Sequence, residues 1–526
     1  MRALQPHTFD LNPRVAWAAV LGLATVLVFF AWEGRQGLSL WDEGYLWYGV
    51  QRVLVGEVPI RDFQSYDPGR YYWSAAFMRV AGSDGIMAVR STVVILQAFA
   101  LATVLGWLAW ASGKSGSIRY TLACALTLVV WMVPRHKVFD IAFSIGLVCI
   151  LAYWVRRPTR FNYFLTGLFV GLVAYFGRNH GVYGVLASCG VFVYLAIRRD
   201  SWKEWLLGLA VFALGGLAGY LPMFLTMLLA PGFTPAFVDS VRFLFDVKTT
   251  NLPLPTPWPW RARFGTVPLT DAFRDLIIGL FFLSTLAFGL LAMAYVTMRR
   301  WRGFTAQPLL VACAFSAIPY AHYAFSRADP GHLAQGIFPT LIGLLAIAGA
   351  SSGWKRYVVV APLCLLSLFA MTPMHPGWQC MRDAHCPPLN VGRDRLWVDP
   401  ATASDVGLIE RLHRDFAPAG RSFYVAPLLP GAWALLHAKA PTWEIYTAWD
   451  RNTAFQQDEI DRLKAADPGF ILVYDLALDG REELRFKNTH SLIDRYVREN
   501  YVPVEGYTAN PAYQIYRARN VPGTAP

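Results

Sequence analysis

Stretches near 20 mostly apolar residues recur from the N-terminus to about residue 372. That is the length a helix needs to cross a hydrocarbon layer of roughly 30 Å. They lie near 15–32, 87–110, 119–135, 140–155, 161–177, 181–197, 205–228, 274–298, 307–324, 333–350 and 356–372, the third to fifth being short. Of 526 residues 55% are hydrophobic and only 16% charged, and the mean hydropathy is +0.35, too apolar for an ordinary soluble enzyme. Lipid offers no hydrogen bonds to an exposed backbone, so the chain is expected to be a polytopic α-helical membrane protein with about eleven transmembrane helices.

Orientation follows from Lys and Arg, which accumulate in cytoplasmic loops. With the N-terminus inside, the inner segments carry Arg2, Arg14, Lys114, Arg119, Arg156, Arg157, Arg160, Arg198, Arg199, Lys203, Arg299, Arg300, Arg302, Lys355 and Arg356. Against these stand only Asp10, Asp200 and Glu204. The net charge of +12 therefore reports topology, and nothing in it points to nucleic acid. The first span has no small-residue cleavage site and reads as an uncleaved anchor. A multi-pass membrane protein is expected, with its N-terminus cytoplasmic and its C-terminus extracytoplasmic.

The chain divides into a membrane region, 1–372, with a long outer loop at 33–81, and a tail, 373–526, that has no stretch long enough to cross. An amphipathic run at 403–416 leads into Arg421-Ser422-Phe423-Tyr424-Val425, and another at 459–466 leads into Phe470-Ile471-Leu472-Val473-Tyr474. This alternation predicts a small soluble α/β domain, closing with a helix over 491–500 and an edge strand near 512–516. Cys124, Cys149, Cys189, Cys313 and Cys364 lie inside spans and read as small apolar residues. Cys380 and Cys386 lie outside them, where an oxidising compartment would let them pair; two free thiols are the alternative.

Polar clusters stand at the outer ends of the spans. The first loop reads Trp41-Asp42-Glu43-Gly44, then Arg61-Asp62-Phe63 and Tyr66-Asp67-Pro68-Gly69-Arg70. Carboxylates at a membrane boundary can deprotonate a hydroxyl or hold a cation, and aromatic faces suit sugar rings as well as the lipid interface. Asp42 is the leading catalytic candidate, and Glu43, Asp62, Tyr66 and Asp67 accompany it. Pro134-Arg135-His136-Lys137 precedes Asp140 and places basic groups outside, against the orientation rule, which suits Arg135 and Lys137 to a phosphate. Gly177-Arg178-Asn179-His180-Gly181 lets a ligand approach closely, and Arg327, Asp329 and His332 converge within six residues. The Pro- and Trp-rich segment 251–260 can cover a cavity or lie along the membrane. Together these clusters suit an enzyme whose donor is a phosphate-linked lipid.

The Asp42-Glu43 pair, the Gly-Glu-x-Pro-x-x-Asp-Phe segment ending at Asp62-Phe63, Tyr66-Asp67-Pro68, and Arg135 with Asp140 resemble the GT-C glycosyltransferases, in the bacterial branch related to protein O-mannosyltransferases and lipid A aminoarabinose transferases. The resemblance covers the membrane region in layout and implies a bacterial inner membrane. It implies a polyprenyl-phosphate-linked sugar donor, a glycan, lipid or protein acceptor, and transfer with inversion, Asp42 acting as general base. It also implies that Asp140 is the second acidic residue and that Arg135, Arg178, Arg327 and His332 meet the lipid-phosphate leaving group, with His180 and Lys137 beside them. The family often has Pro-Pro where this chain has Asp67-Pro68-Gly69, which leaves the role of Asp67 open. Some relatives bind a divalent cation near the acidic loop, for which Asp42, Glu43 and Asp62 are the candidates; no other cofactor is implied. The rival reading is a transporter or flippase for a lipid-linked sugar or another anion, but no internal repeat is present and the charges gather at one face.

Overall fold

The computed structural model describes residues 12–113, 117–197, 201–249, 251–383 and 385–520. Arg2, Asp10, Lys114, Arg198, Arg199 and Asp200, which bear on orientation, lie outside the described residues. Each of the eleven apolar segments is helical. Among the described residues, Pro13–Glu33, Ile86–Ala111, Arg135–Arg156, Arg178–Ala196, Leu269–Trp301, Pro308–Ser326 and Gly353–Met374 are long and apolar enough to cross a membrane. Two further segments are bent helix pairs, Trp202–Gly219 with Leu221–Leu229 (46°) and Pro330–Gly336 with Phe338–Ala350 (58°). Pro222 and Pro339 stand just after the two breaks, where a missing N–H and the ring interrupt the ladder. Ile118–Val130 and Arg160–Phe176 are shorter apolar helices.

The chain folds as two compact units that do not follow its linear order. One holds the residues up to Glu33, Val93–Leu225 and Leu244–Trp378, and is built almost wholly of apolar helices. Its tightest helix pair is glycine-made: a Cβ on Gly167, Gly171, Gly215 or Gly219 would overlap a carbonyl oxygen of the facing helix. Small residues four apart let two backbones approach closely in lipid, where dispersion and not the hydrophobic effect drives association.

The second unit joins Gly34–Thr92 and Thr226–Phe243 to the chain from Gln379 onward. The acidic loop therefore belongs with the C-terminal domain, whereas the linear boundary at 372 placed it with the membrane region. Two strands, β1 (Pro388–Val391) and β2 (Asp394–Trp397), pair as an antiparallel hairpin. Strands β3 (Tyr424–Ala426), β4 (Phe470–Tyr474), β5 (Tyr501–Pro503) and β6 (Tyr513–Ala518) form a sheet ordered β3-β4-β6-β5, with β3 parallel to β4 and the other pairs antiparallel. Strand β6, expected at an edge, is instead internal. Its outer neighbour β5 is three residues long and ends in Pro503, which hides it from pattern reading. Helices Pro400–Phe416, Thr453–Ala466 and Ser491–Asn500 complete the α/β domain, and Cys380 and Cys386 are disulfide-bonded.

The loop is tied to this domain through the helix Asp42–Leu54. Tyr48 Oη accepts the Ala440 N–H at 3.0 Å, and Gln51 donates to the carbonyls of Asp84 and Ala434, each at 3.2 Å. Trp443 donates its indole N–H to Ile60 O at 2.9 Å, and its own carbonyl accepts Gln64 N–H at 2.9 Å. Gly44 meets Gly431 backbone to backbone, and a Cβ at Gly44 would stand 2.5 Å from the Gly431 Cα. Gly44→Ala is expected to cost about 1–3 kcal/mol through this forced separation. It should lower the thermal midpoint and expose 34–92 to limited proteolysis; an unchanged midpoint and digestion pattern would refute the close packing.

Candidate functional site

In the second unit, Asp42 is the first residue of Asp42–Leu54, where the helix dipole favours negative charge. Ser39 organises the turn: its Oγ accepts Asp42 N–H at 3.2 Å and its carbonyl accepts Gly44 N–H at 2.9 Å. The Asp42 carboxylate is half-buried and accepts a hydrogen bond from Tyr446 Oη at 3.1 Å. Glu43, one residue on, faces the opposite fate. Arg90 grips it with Nε and Nη2, each at 2.7 Å, and also donates to Gly34 O at 2.8 Å and Gly37 O at 2.7 Å. Both side chains are buried, so Glu43 is part of a fully bonded ion pair that fixes the entry of the loop.

Asp62 is likewise committed. Arg61 forks onto it at 2.8 Å with both nitrogens, Val58 N–H donates at 2.7 Å, and Arg61 reaches Pro231 O at 3.0 Å. Burial alone would raise the Asp62 carboxyl, but these bonds and the Arg61 charge hold it below its ordinary range. Tyr66 carries the Arg70 guanidinium 4.5 Å above its ring and meets Tyr45 edge-on, while Tyr45 meets Tyr446 in the same way. Asp67 is buried just ahead of the helix Gly69–Ala81. Among the described residues no three His, Cys, Asp or Glu side chains gather as metal ligands. Asp42, Glu43 and Asp62 do not fit a shared divalent ion, because arginines occupy the last two.

The first unit carries the cationic candidates at the ends of its helices. Arg135, in the single turn Arg135–Lys137, donates to Glu33 O at 2.8 Å, and the Glu33 carboxylate meets His375 Nδ1 at 2.9 Å. Lys137 closes that turn and Arg178 opens the helix Arg178–Ala196, both half-buried. Asp140 is buried and binds His180 Nε2 at 2.7 Å, while His180 Nδ1 meets Tyr320 Oη at 3.0 Å. His180 is thus held by protein groups on both nitrogens.

Arg327, Asp329 and His332 are in contact, as their spacing suggests. Asp329 caps Pro330–Gly336 by accepting His332 N–H at 2.8 Å and binds Arg327 Nε at 3.0 Å. Burial would raise the Asp329 carboxyl; His332 hydrogen bonds and the Arg327 charge outweigh it and hold it below the usual range. Asn251 Oδ1 accepts Leu252 N–H at 3.1 Å, so its Nδ2 is the donor to His332 Nε2 at 2.8 Å. His332 Nδ1 lies 3.0 Å from both Asp329 oxygens. Arg327 also donates to Leu252 O at 3.2 Å, so the Pro-rich segment docks on this turn. The Tyr323 ring lies 5.8 Å from His180 and 6.2 Å from His332 and links the two clusters.

Three partners were not visible in the sequence: Arg90, Tyr446 and Asn251. Only Arg90, a charge four residues inside an apolar helix, carried a signal, since such a charge requires a counterion.

A buried scaffold supports Tyr446. Glu444 binds Arg451 at 2.7 Å and His490 at 2.8 Å, and Glu459 accepts the backbone N–H of Trp443 at 3.3 Å and of Glu444 at 3.0 Å. Burial pushes the Glu459 carboxyl up to about 7. A raised folded value means that the folded protein holds this proton longer than the unfolded chain, whose Glu titrates near ~4.3. The contribution is complete below that pH and is lost as pH rises through about 7. Thermal stability is expected to fall over this window, by at most about 1.4 kcal/mol per pH unit. Glu459→Gln should flatten that slope, and an unaltered slope would contradict the assignment. Glu43→Gln should strand the Arg90 charge and cost about 3–5 kcal/mol. It should be visible as a lowered thermal midpoint of purified protein; a wild-type midpoint would show that the pair does not hold the loop.

No family model matches the sequence, and no curated protein matches it. Among solved structures, ArnT from Cupriavidus metallidurans bound to undecaprenyl phosphate aligns over 96% of this chain and 99% of its own, with a TM-score of 0.57 at 14% identity. Its apo state gives 98%, 100%, 0.55 and 14% in the same order. The archaeal oligosaccharyltransferase AglB from Archaeoglobus fulgidus, in complex with an inhibitory peptide and a dolichol-phosphate, aligns over 98% of this chain and 75% of its own, with a TM-score of 0.50 at 11% identity. The chain is a multi-pass membrane protein with the GT-C fold.

Proposed function

We propose that this protein is an integral membrane glycosyltransferase that moves a sugar from a polyprenyl-phosphate donor to an acceptor hydroxyl on the extracytoplasmic face, with inversion. The observation that carries the reading is Asp42. It opens the helix Asp42–Leu54 in the acidic loop, half-buried, with its carboxylate on the Tyr446 hydroxyl at 3.1 Å, whereas Glu43 and Asp62 are built into ion pairs with Arg90 and Arg61. Two structures sharing the fold hold undecaprenyl phosphate and dolichol-phosphate, which supports a lipid-phosphate donor here.

In this reading Asp42 takes the proton of the acceptor hydroxyl, and the hydroxyl oxygen attacks the anomeric carbon as its bond to the polyprenyl phosphate breaks. The leaving phosphate keeps the bonding electrons. The cations we assign to the lipid phosphate, Arg135, Lys137, Arg178 and Arg327, all belong to the first unit, and positive charge of this kind stabilises a phosphate leaving group. His180, aligned by Asp140, and His332, aligned by Asp329, supply oriented dipoles. Tyr66 offers the sugar an aromatic face. Glu43 serves by holding the loop.

Purified Asp42→Asn is expected to lose at least ~10³-fold in the release of polyprenyl phosphate from bacterial polyprenyl-phosphate sugars, with its thermal midpoint and its binding of undecaprenyl phosphate retained. Undiminished release would remove Asp42 as the base.

A further inference from the structure

The C-terminal domain contains a buried charge assembly for which the proposed transfer has no use. Glu444, Glu459 and His490 are nearly inaccessible, and the Arg451 guanidinium that binds Glu444 lies 3.9 Å from the Phe243 ring and 4.4 Å from that of Phe455. Burying several charges costs more than an apolar core of the same volume, so such an assembly specifies a geometry. Its product is the segment 442–447, neither helix nor strand, yet bonded along its length. Glu459 takes the N–H groups of Trp443 and Glu444. Gln64 Oε1 takes those of Ile445 at 3.1 Å and Tyr446 at 2.8 Å. Pro427 O takes Thr447 N–H at 2.9 Å. What the segment presents is the Tyr446 hydroxyl, on Asp42 Oδ1, with the ring packed against Tyr45.

We infer that Tyr446 is a positioning residue for the transfer: its hydroxyl fixes the Asp42 carboxylate in the direction from which it meets the acceptor, and this makes the C-terminal domain part of the catalytic apparatus. The inference rests on Asp42 being the base. Misplacing a reacting group by about 1 Å can cost ~10²-fold in rate, so a hydroxyl held by a buried scaffold and bonded to Asp42 Oδ1 bears directly on the aim of the base.

The test compares wild type, Tyr446→Phe and Asp42→Asn for release of polyprenyl phosphate from bacterial polyprenyl-phosphate sugars, with kcat and KM for the donor measured separately. The phenylalanine keeps the ring and its packing, so Tyr446→Phe should leave the thermal midpoint in place. It should lower kcat ~10-fold or more while KM for the donor stays within ~2-fold. A wild-type kcat in Tyr446→Phe, alongside an inactive Asp42→Asn, overturns the inference and leaves the base intact. So does a lowered kcat accompanied by an equally disturbed donor KM and thermal midpoint, since that is the mark of a structural role. Full turnover in Asp42→Asn overturns both. Because an isolated substitution to phenylalanine could disturb the segment, Gln64→Leu provides a second variant: it removes the acceptor of the Ile445 and Tyr446 N–H groups from outside the site and should reproduce the kcat loss in milder form. An unaffected kcat there counts against the positioning chain.

Discussion

Arg90 sits where an apolar helix begins, and its guanidinium has to be neutralised before that helix can be buried. Glu43 does this with both carboxylate oxygens, and the carbonyls of Gly34 and Gly37 take the remaining donors. The consequence reaches beyond the pair. Gly34 and Gly37 are where the chain leaves the first membrane helix, and Glu43 is one residue past Asp42, so one buried cation fixes both the exit of the loop and the start of the helix that presents the catalytic candidate. A carboxylate next to Asp42 is therefore needed for structure.

The two units use charge in different ways. In the membrane unit, cations and imidazoles are set at helix ends and oriented by acceptors: Arg135 by Glu33, His180 by Asp140, and Arg327 and His332 by Asp329. Such pairs keep polar groups satisfied near lipid, where an unbonded one is expensive. In the other unit, arginines neutralise Glu43, Asp62 and Glu444, and the Asp42 carboxylate accepts a hydrogen bond from a phenol.

The membrane helices were legible because hydrocarbon thickness imposes a length that composition reveals directly; what stayed hidden was where a span bends, as at Pro222 and Pro339. The helix Ser491–Asn500 and strand β4 were legible from periodicity. The internal place of β6 was not, since it depends on a three-residue partner. The loop's membership in the C-terminal unit was equally invisible, because it is made by contacts such as Gln51 to Ala434 and Trp443 to Ile60, each 383 residues apart in the chain. In the site, Asp42, Asp140, Arg327, Asp329 and His332 announced themselves as polar groups at span ends. Their partners did not: Tyr446 is 404 residues from Asp42, and Asn251 is 81 from His332. Sequence shows which groups are costly to place, and only the fold shows what satisfies them. The apparent equivalence of Asp42 and Glu43 as neighbouring acids disappears once Arg90 is seen.

The central claim, a lipid-phosphate sugar as donor, is tested most directly by mass spectrometry of the lipids retained by gently purified wild-type protein and by Asp42→Asn. A stalled enzyme keeps its donor, so the variant should carry a polyprenyl phosphate bearing a sugar, whose mass identifies the group transferred. Bulk phospholipid alone on both proteins would contradict the account and turn attention to transport of an anionic lipid.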